Sequence, residues 1–181
     1  MQLSWTVMPA PGPIGALTVG ATDDGLALVA FGEQPESAAR AADRLGLQAV
    51  AREPVDAVSQ LREYLDGERT VFDLPLDWSL THGSQRKVLE TLHATVGYGD
   101  TVTYGELAAR ASLGSAYTAA RGVGAIMGSN PLPVVVACHR VLAADGLGGF
   151  GGGRATKEWL LALEGVLTGT FDFSCARKPS P

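Results

Sequence analysis

Apolar and polar residues alternate along the first part of the chain, then settle into helical spacing. LSWTV (residues 3–7) alternates, and ALTVGAT (16–22) and GLALVAF (25–31) flank Asp23, Asp24 and Gly25. Such a turn between two β-rich runs predicts an antiparallel hairpin. PESAARAADRLG (35–46) has the pattern of an Ala-rich helix stopped by Gly46. PVDAVSQLREYLDG (54–67) predicts a second helix, with Pro54 in its first turn, Val55, Val58, Leu61 and Leu65 on one face, and a stop at Gly67. FDLPLDW (72–78) is expected to be extended, because Pro75 excludes a helix. A domain boundary is placed near residue 80, giving an N-terminal α/β domain over 1–80.

Beyond that point the pattern turns helical. SQRKVLETLHATV (84–96) puts Val88, Leu89, Leu92 and Val96 on one face, and YGD (98–100) reads as a turn. Thr103 and Glu106 have the spacing of a capping box, so a helix is expected to start there and run through LAARA. SLGS breaks it, and AYTAARGVGAIMG (116–128) resumes as a helix. Helix, short Gly-containing turn and helix is the helix-turn-helix plan. SNPLP is a loop, VVVACHRV (134–141) is expected to start as an extended segment, GLGGFGGG (146–153) cannot be helical, and TKEWLLALEG (156–165) predicts a last amphipathic helix. This second domain is assigned to residues 81–168, and 169–181 reads as a disordered tail.

Composition adds limits. The 181 residues are 46% hydrophobic and 18% charged, ordinary for a soluble globular protein. No apolar run is long enough to span a bilayer, and MQLSWTVMPAPG lacks the basic-then-apolar order of a signal peptide. The two cysteines, Cys138 and Cys175, are therefore expected to be reduced and the protein cytoplasmic. The net charge of −5 argues mildly against nucleic acid until it is mapped. Residues 1–81 carry 5 Lys+Arg against 12 Asp+Glu, whereas 82–165 carry 7 against 6. The second half can therefore approach a phosphate backbone without gripping it strongly.

Candidate chemistry centres on Cys138. A cysteine nucleophile needs a base or a cation nearby, and His139 and Arg140 follow it directly. Strand neighbours point to opposite faces, however, so a sharp turn at Cys138 or a bridging water is needed to bring imidazole to sulfur. Taken alone, a cysteine after three valines reads more often as a core thiol. Gly146, Gly148 and Gly151 satisfy a dinucleotide fingerprint, but no strand leads into them and no acidic residue follows at the required distance. A metal at Cys138 and His139 lacks a second ligand pair. In AYTAARGVGAIMG the one large polar side chain, Arg121, sits among small residues. That pattern fits tight helix packing, and it equally fits a helix that enters a groove and pushes one side chain into the base stack.

Taken in order, TYGE, AAR-x-VG, NP-x-P, V-x-CHRV, the Gly-rich loop and KEWLLALEG resemble the O6-alkylguanine-DNA alkyltransferases, the methylated-DNA–protein-cysteine methyltransferases. QLREYLDGE, FDLPLDW and YGDTVTYGELA look like that family too, so the likeness runs from about Pro13 to Gly165. The resemblance implies an α/β protein: a small ribonuclease-H-like N-terminal domain, then a mainly helical domain with a helix-turn-helix. It implies direct, stoichiometric DNA repair, in which an alkylated guanine is flipped from duplex DNA and its O6-alkyl group passes to Cys138. His139 matches the residue that takes the thiol proton through a water, and Glu164 the carboxylate that orients it. Asn130 matches the brace of the loop before the cysteine. Tyr104 matches the residue that helps rotate the target phosphate and donates a proton near guanine N3. Arg121 matches the finger that fills the vacated stack, with Tyr104, Ala120, Gly122 and Arg140 completing the DNA contacts. Val141, Phe150, Gly151 and Lys157 match the pocket, with backbone groups at Cys138 and Val141 meeting the guanine amine and the Gly151 N–H meeting O6.

The same likeness implies no cofactor and no metal; His82 sits near a position where some relatives bind zinc, but residues 1–81 hold no Cys or His. A monomer is expected, with cooperative binding along DNA open to it. There are departures. Ala137 stands where the family has Pro, Phe150 where Tyr is common, and Ser84 and Leu89 where aromatics are frequent; the Gly loop is about one residue short. These imply a pocket that takes methyl adducts and favours bulkier ones. The competing reading is a lesion-binding protein that transfers nothing. A thiol hydrolase is a further alternative, but one that gives the groove-binding helix no purpose.

Overall fold

A computed structural model describes residues 1–114 and 117–167 of the 181. The expected tail over 169–181, with Cys175, lies outside the described residues. The chain divides into two compact units, Met1–Leu80 and Thr81–Thr168.

The first unit is a sheet with helices. β1 (Gln2–Ala10), β2 (Gly15–Thr22) and β3 (Gly25–Phe31) form an antiparallel meander. The β2–β3 turn falls at Asp23 and Asp24, where the sequence places it. After α1 (Pro35–Leu45) the chain returns as β4 (Gln48–Ala51), parallel to β1, so the order is β3-β2-β1-β4. The sequence reading contains no β4: QAVA has little apolar signal, and backbone pairing with β1 makes it a strand. The Ala38, Ala41 and Ala42 face of α1 lets the helix close onto Leu3, Ala27 and Leu28. The segment around Leu76 runs extended beside β3, its Pro75 carbonyl accepting from Leu26 N–H at 2.9 Å. Gly25 is required there: a Cβ on it would stand 2.3 Å from that carbonyl oxygen.

α2 (Val55–Leu65) buries Val58, Leu61, Tyr64 and Leu65. Val55 does not join them as expected but stands 64% exposed. It is the first residue of the helix, a turn ahead of the packed stripe, and Pro54 caps the helix instead of entering it.

The second unit is mainly helical. α3 (Gly83–Thr95) buries Val88, Leu89 and Leu92. β5 (Val102–Thr103) leads into α4 (Tyr104–Arg110) through a complete capping box between Thr103 and Glu106. α5 (Tyr117–Gly128) follows, so the helix-turn-helix stands. β6 (Val141–Leu142) pairs in parallel with β5, and α6 (Arg154–Leu163) closes the unit.

The expectation that VVVACHRV begins extended is not met. Residues 131–136 run through turns, with Val134 at φ +73°, and Cys138–Arg140 form a short 3-10 turn. A β-branched residue at positive φ is strained. It holds because the turn is buried from Leu132 onward, Val134 and Val136 being fully enclosed.

Candidate active site

Cys138 opens a short 3-10 turn and not a strand. Three backbone bonds set it: Val136 N–H to Leu132 O (2.8 Å), Cys138 N–H to Val136 O (2.8 Å) and Arg140 N–H to Ala137 O (3.0 Å). Asn130 staples its entrance. Its Nδ2 donates to Val136 O at 2.8 Å, and its Oδ1 accepts from Leu132 N–H at 2.9 Å. The same side chain also acts on the Cys138 thiol, favouring its ionised form. The exit is fixed by the β5–β6 pairing, Val102 beside Val141 and Thr103 beside Leu142, which brings the capped start of α4, and so Tyr104, next to the turn.

Cys138 reaches a pocket of about 390 Å³, within the range of small-ligand sites of about 300–1,000 Å³. Tyr104 forms part of its wall, with Gly149, Phe150 and Gly151 from the Gly-rich loop. Gly124, Met127 and Gly128 of α5 line it as well. Sequence reasoning missed these three, although their i, i+3, i+4 spacing marks one helix face. The Tyr104 hydroxyl points to Gly149 O at 3.4 Å, and burial, with the Cys138 sulfur beside it, raises its pKa.

Behind the cysteine is a buried polar cluster. His139 Nε2 lies 2.9 Å from Glu164 Oε1. Arg140 donates from Nε to Glu164 Oε2 (2.9 Å), from Nη2 to Oε1 (2.8 Å), and from Nη1 to Val96 O (2.8 Å). Gly99 N–H adds a bond to Glu164 Oε2 at 3.2 Å. Burial on its own raises the Glu164 carboxyl, but hydrogen bonds from His139 and Arg140 outweigh it and hold the group well below the usual carboxylate range. His139 is pushed below its ordinary value by burial, which the Glu164 carboxylate only partly offsets, so the ring is neutral at pH 7. The expectation that Arg140 contacts DNA is corrected here. It is 8% exposed and its guanidinium is committed to Glu164 and Val96.

Lys157 is fully buried and ties two walls together, donating to Val141 O (2.7 Å) and Gly149 O (3.2 Å). Burial lowers it to about 8, with the nearby Cys138 pulling the other way. The thiol is raised by its own burial, against which Asn130, Lys157 and the N–H groups of Cys138 and His139 act. The site therefore rests as thiol and neutral imidazole, with acceptor and base in one turn. Val141 is itself enclosed, its carbonyl accepting from Lys157 Nζ, and neither of these two expected pocket residues is part of the pocket wall. On α5, Arg121 and Gly122 are exposed and Ala120 is half-buried.

Residues 83–166 match the model of the 6-O-methylguanine DNA methyltransferase DNA-binding domain, and residues 5–78 that of its ribonuclease-like domain. A methylated-DNA–protein-cysteine methyltransferase from Mycolicibacterium paratuberculosis is 42% identical over 155 residues, covering 84% of this chain and 87% of that protein. This chain belongs to the methylated-DNA–protein-cysteine methyltransferase family. The rat methyltransferase is 34% identical over 93% of this chain and 85% of its own. Among methyltransferase structures, the crystal structure of Mycobacterium tuberculosis OGT in complex with DNA superposes with a TM-score of 0.71 at 35% identity, covering 91% of this chain and 92% of that one. Both the α/β fold and the helical DNA-binding domain thus have methyltransferase counterparts. No helix among the described residues is long and apolar enough to cross a membrane.

Proposed function

We propose that this chain repairs DNA by moving the alkyl group of an O6-alkylguanine onto Cys138, once per molecule. What carries the reading is Cys138 itself: it lines a pocket walled in part by the α5 helix, and the next residue, His139, is hydrogen-bonded to Glu164 at the end of α6.

The chemistry follows from these groups. The duplex base is extruded, because O6 cannot be reached inside the stack. Arg121, exposed on α5, takes the vacated place, and Ala120 and Gly122 let the backbone come close. The base enters between Tyr104 and Phe150, with the Cys138 and Val141 carbonyls for its amine and the Gly151 N–H for O6. Sulfur attacks the alkyl carbon, forming the S–C bond as the C–O6 bond breaks. The thiol proton passes to His139. Glu164 holds Nε2, so the proton arrives at Nδ1, and Arg140 keeps Glu164 ionised. Guanine leaves as a neutral base because a proton is supplied to it, with Tyr104 in place as the donor. The product thioether is a stable bond, and among the described residues Cys138 is the one cysteine, so the alkyl group stays on the protein and the molecule is consumed. It acts in the cytoplasm as a monomer, on duplex DNA carrying the lesion.

Intact-protein mass after incubation with a duplex bearing one O6-methylguanine tests this, with Cys138→Ala beside it. One added methyl on the wild type alone is expected. An unmodified wild type that still retains the duplex makes the protein a lesion binder instead.

A further inference from the structure

The described residues of the α5 surface carry a feature that the proposed chemistry does not use. Tyr117, at the start of the helix, is 78% exposed, and the Arg121 guanidinium lies over its ring, 5.9 Å from the centroid. A phenol that exposed contributes little to the core. Its spacing from Arg121 is i, i+4, which puts both on one face. Helical side chains lean towards the N-terminus, so the stem of Arg121 is directed back over Tyr117. No carboxylate occurs in the sequence between Glu106 and Asp145, so no acidic neighbour in that stretch draws the guanidinium elsewhere. The other exposed residues of the helix, Thr118, Gly122, Ala125 and Gly128, are small. The two long side chains of the face are therefore in contact with each other.

We propose that Tyr117 is a positioning residue for base extrusion: its ring holds the Arg121 guanidinium over the start of α5, so that ring and cation enter the minor groove together. The inference rests on the reading of Arg121 as the side chain that fills the vacated stack. A free arginine samples many rotamers, and ordering it costs binding energy. A ring beneath the guanidinium restricts that freedom before DNA arrives. Because Tyr117 touches Arg121, whatever surface Arg121 presents to DNA, Tyr117 shares.

The experiment measures single-turnover transfer from two substrates, a duplex with one O6-methylguanine and the same strand unpaired, where no stack has to be refilled. Tyr117→Ala is expected to slow duplex transfer about two- to fivefold, the size of an exposed cation–ring contact, with a smaller change on the single strand. Tyr117→Phe and Tyr117→Trp keep a ring and are expected to restore the duplex rate. With Arg121→Ala already in place, removing Tyr117 is expected to cost no further duplex activity. Equal duplex rates for wild type and Tyr117→Ala, while Arg121→Ala is slow, overturn the inference alone. A Tyr117→Ala loss that persists in full without Arg121 also overturns it. Arg121→Ala transferring from duplex at the wild-type rate overturns both the role given to Arg121 and the one given to Tyr117.

Discussion

His139 Nε2 and Glu164 Oε1 are 2.9 Å apart, and both side chains are sealed from solvent. One carboxylate thus serves two cations or potential cations, since Arg140 occupies the same oxygens. Replacing Glu164 by Gln removes the charge that orients His139 and leaves Arg140 buried without its counter-ion. A positioned base contributes roughly 10²–10⁴-fold to a proton transfer, so Glu164→Gln is expected to slow alkyl transfer at least about 10²-fold. It is also expected to cost about 3–5 kcal/mol of stability, the usual result of breaking a buried pair from one side. Single-turnover kinetics and urea denaturation measure the two effects separately. A variant with normal stability and a normal rate removes the cluster from the mechanism.

The same pair sets a pH dependence. His139 is held below its ordinary 6.5 and Glu164 below its ordinary 4.5 when folded, so both groups bind protons more readily in the unfolded chain. Stability from these groups is complete above pH 6.5. It declines as pH falls through that value, as unfolding lets His139 charge, and declines again below 4.5 as unfolding lets Glu164 protonate. Denaturation midpoints recorded from pH 8 to pH 4 are expected to fall along this course. In Glu164→Gln the lower decline should shrink. A profile as steep as that of the wild type below pH 4.5 assigns the acid sensitivity to other carboxylates.

Much of this arrangement can be read from residue patterns, and the parts that cannot share a cause. The Asp23–Asp24 turn and the Thr103–Glu106 box are local devices whose residues satisfy one another within a few positions, and both stand as expected. The Val134–Val136 run has the composition of a strand, yet it turns, because Asn130 and the enclosing core hold Val134 at positive φ. Arg140 follows the cysteine like an active-site cation but turns inward to a carboxylate 24 residues away. That Glu164 and His139 belong together follows from family resemblance; no spacing along the chain reveals it. β4 and the pocket face of α5 escaped notice because their signals are weak until another element packs on them.

Tyr104 is placed by a cap one residue before it. Thr103 Oγ1 accepts from Glu106 N–H at 3.2 Å, and the Glu106 carboxylate returns a bond to Thr103 N–H at 2.8 Å. Thr103→Ala is expected to lower stability by about 1 kcal/mol, as cap losses do. Because the cap also fixes where α4 starts beside β6, the rate of alkyl transfer should fall with it. Tyr104→Phe keeps the ring and removes the proton donor, so it is expected to slow transfer without loss of stability. Differential scanning calorimetry beside single-turnover rates separates the two. Thr103→Ala with full activity shows that the cap supports the helix but not the catalytic position of Tyr104.

Pocket width is set where Gly148 meets Tyr104. Gly148 sits at φ +73°, and a Cβ there would stand 2.8 Å from the Tyr104 hydroxyl and 3.3 Å from Ala143 N. Only glycine allows both the backbone conformation and the closeness. In Gly148→Ala either the phenol moves or the loop carrying Gly149 and Phe150 swings, and in both cases the space beside Cys138 changes shape. A methyl adduct needs little of that space and a benzyl adduct much more. The wild type, with its short loop and with Ala137 before the cysteine, is expected to take O6-benzylguanine at least as fast as O6-methylguanine. Gly148→Ala is expected to shift the benzyl-to-methyl ratio downward by about tenfold, within the roughly 10–200-fold range by which a pocket discriminates a small difference in apolar bulk. Competition between the two adducts in matched oligonucleotides, read by intact-protein mass, measures the ratio directly. A clear methyl preference in the wild type would reject the roomier pocket. An unchanged ratio in the variant would show that the contact between Gly148 and Tyr104 does not control access to sulfur.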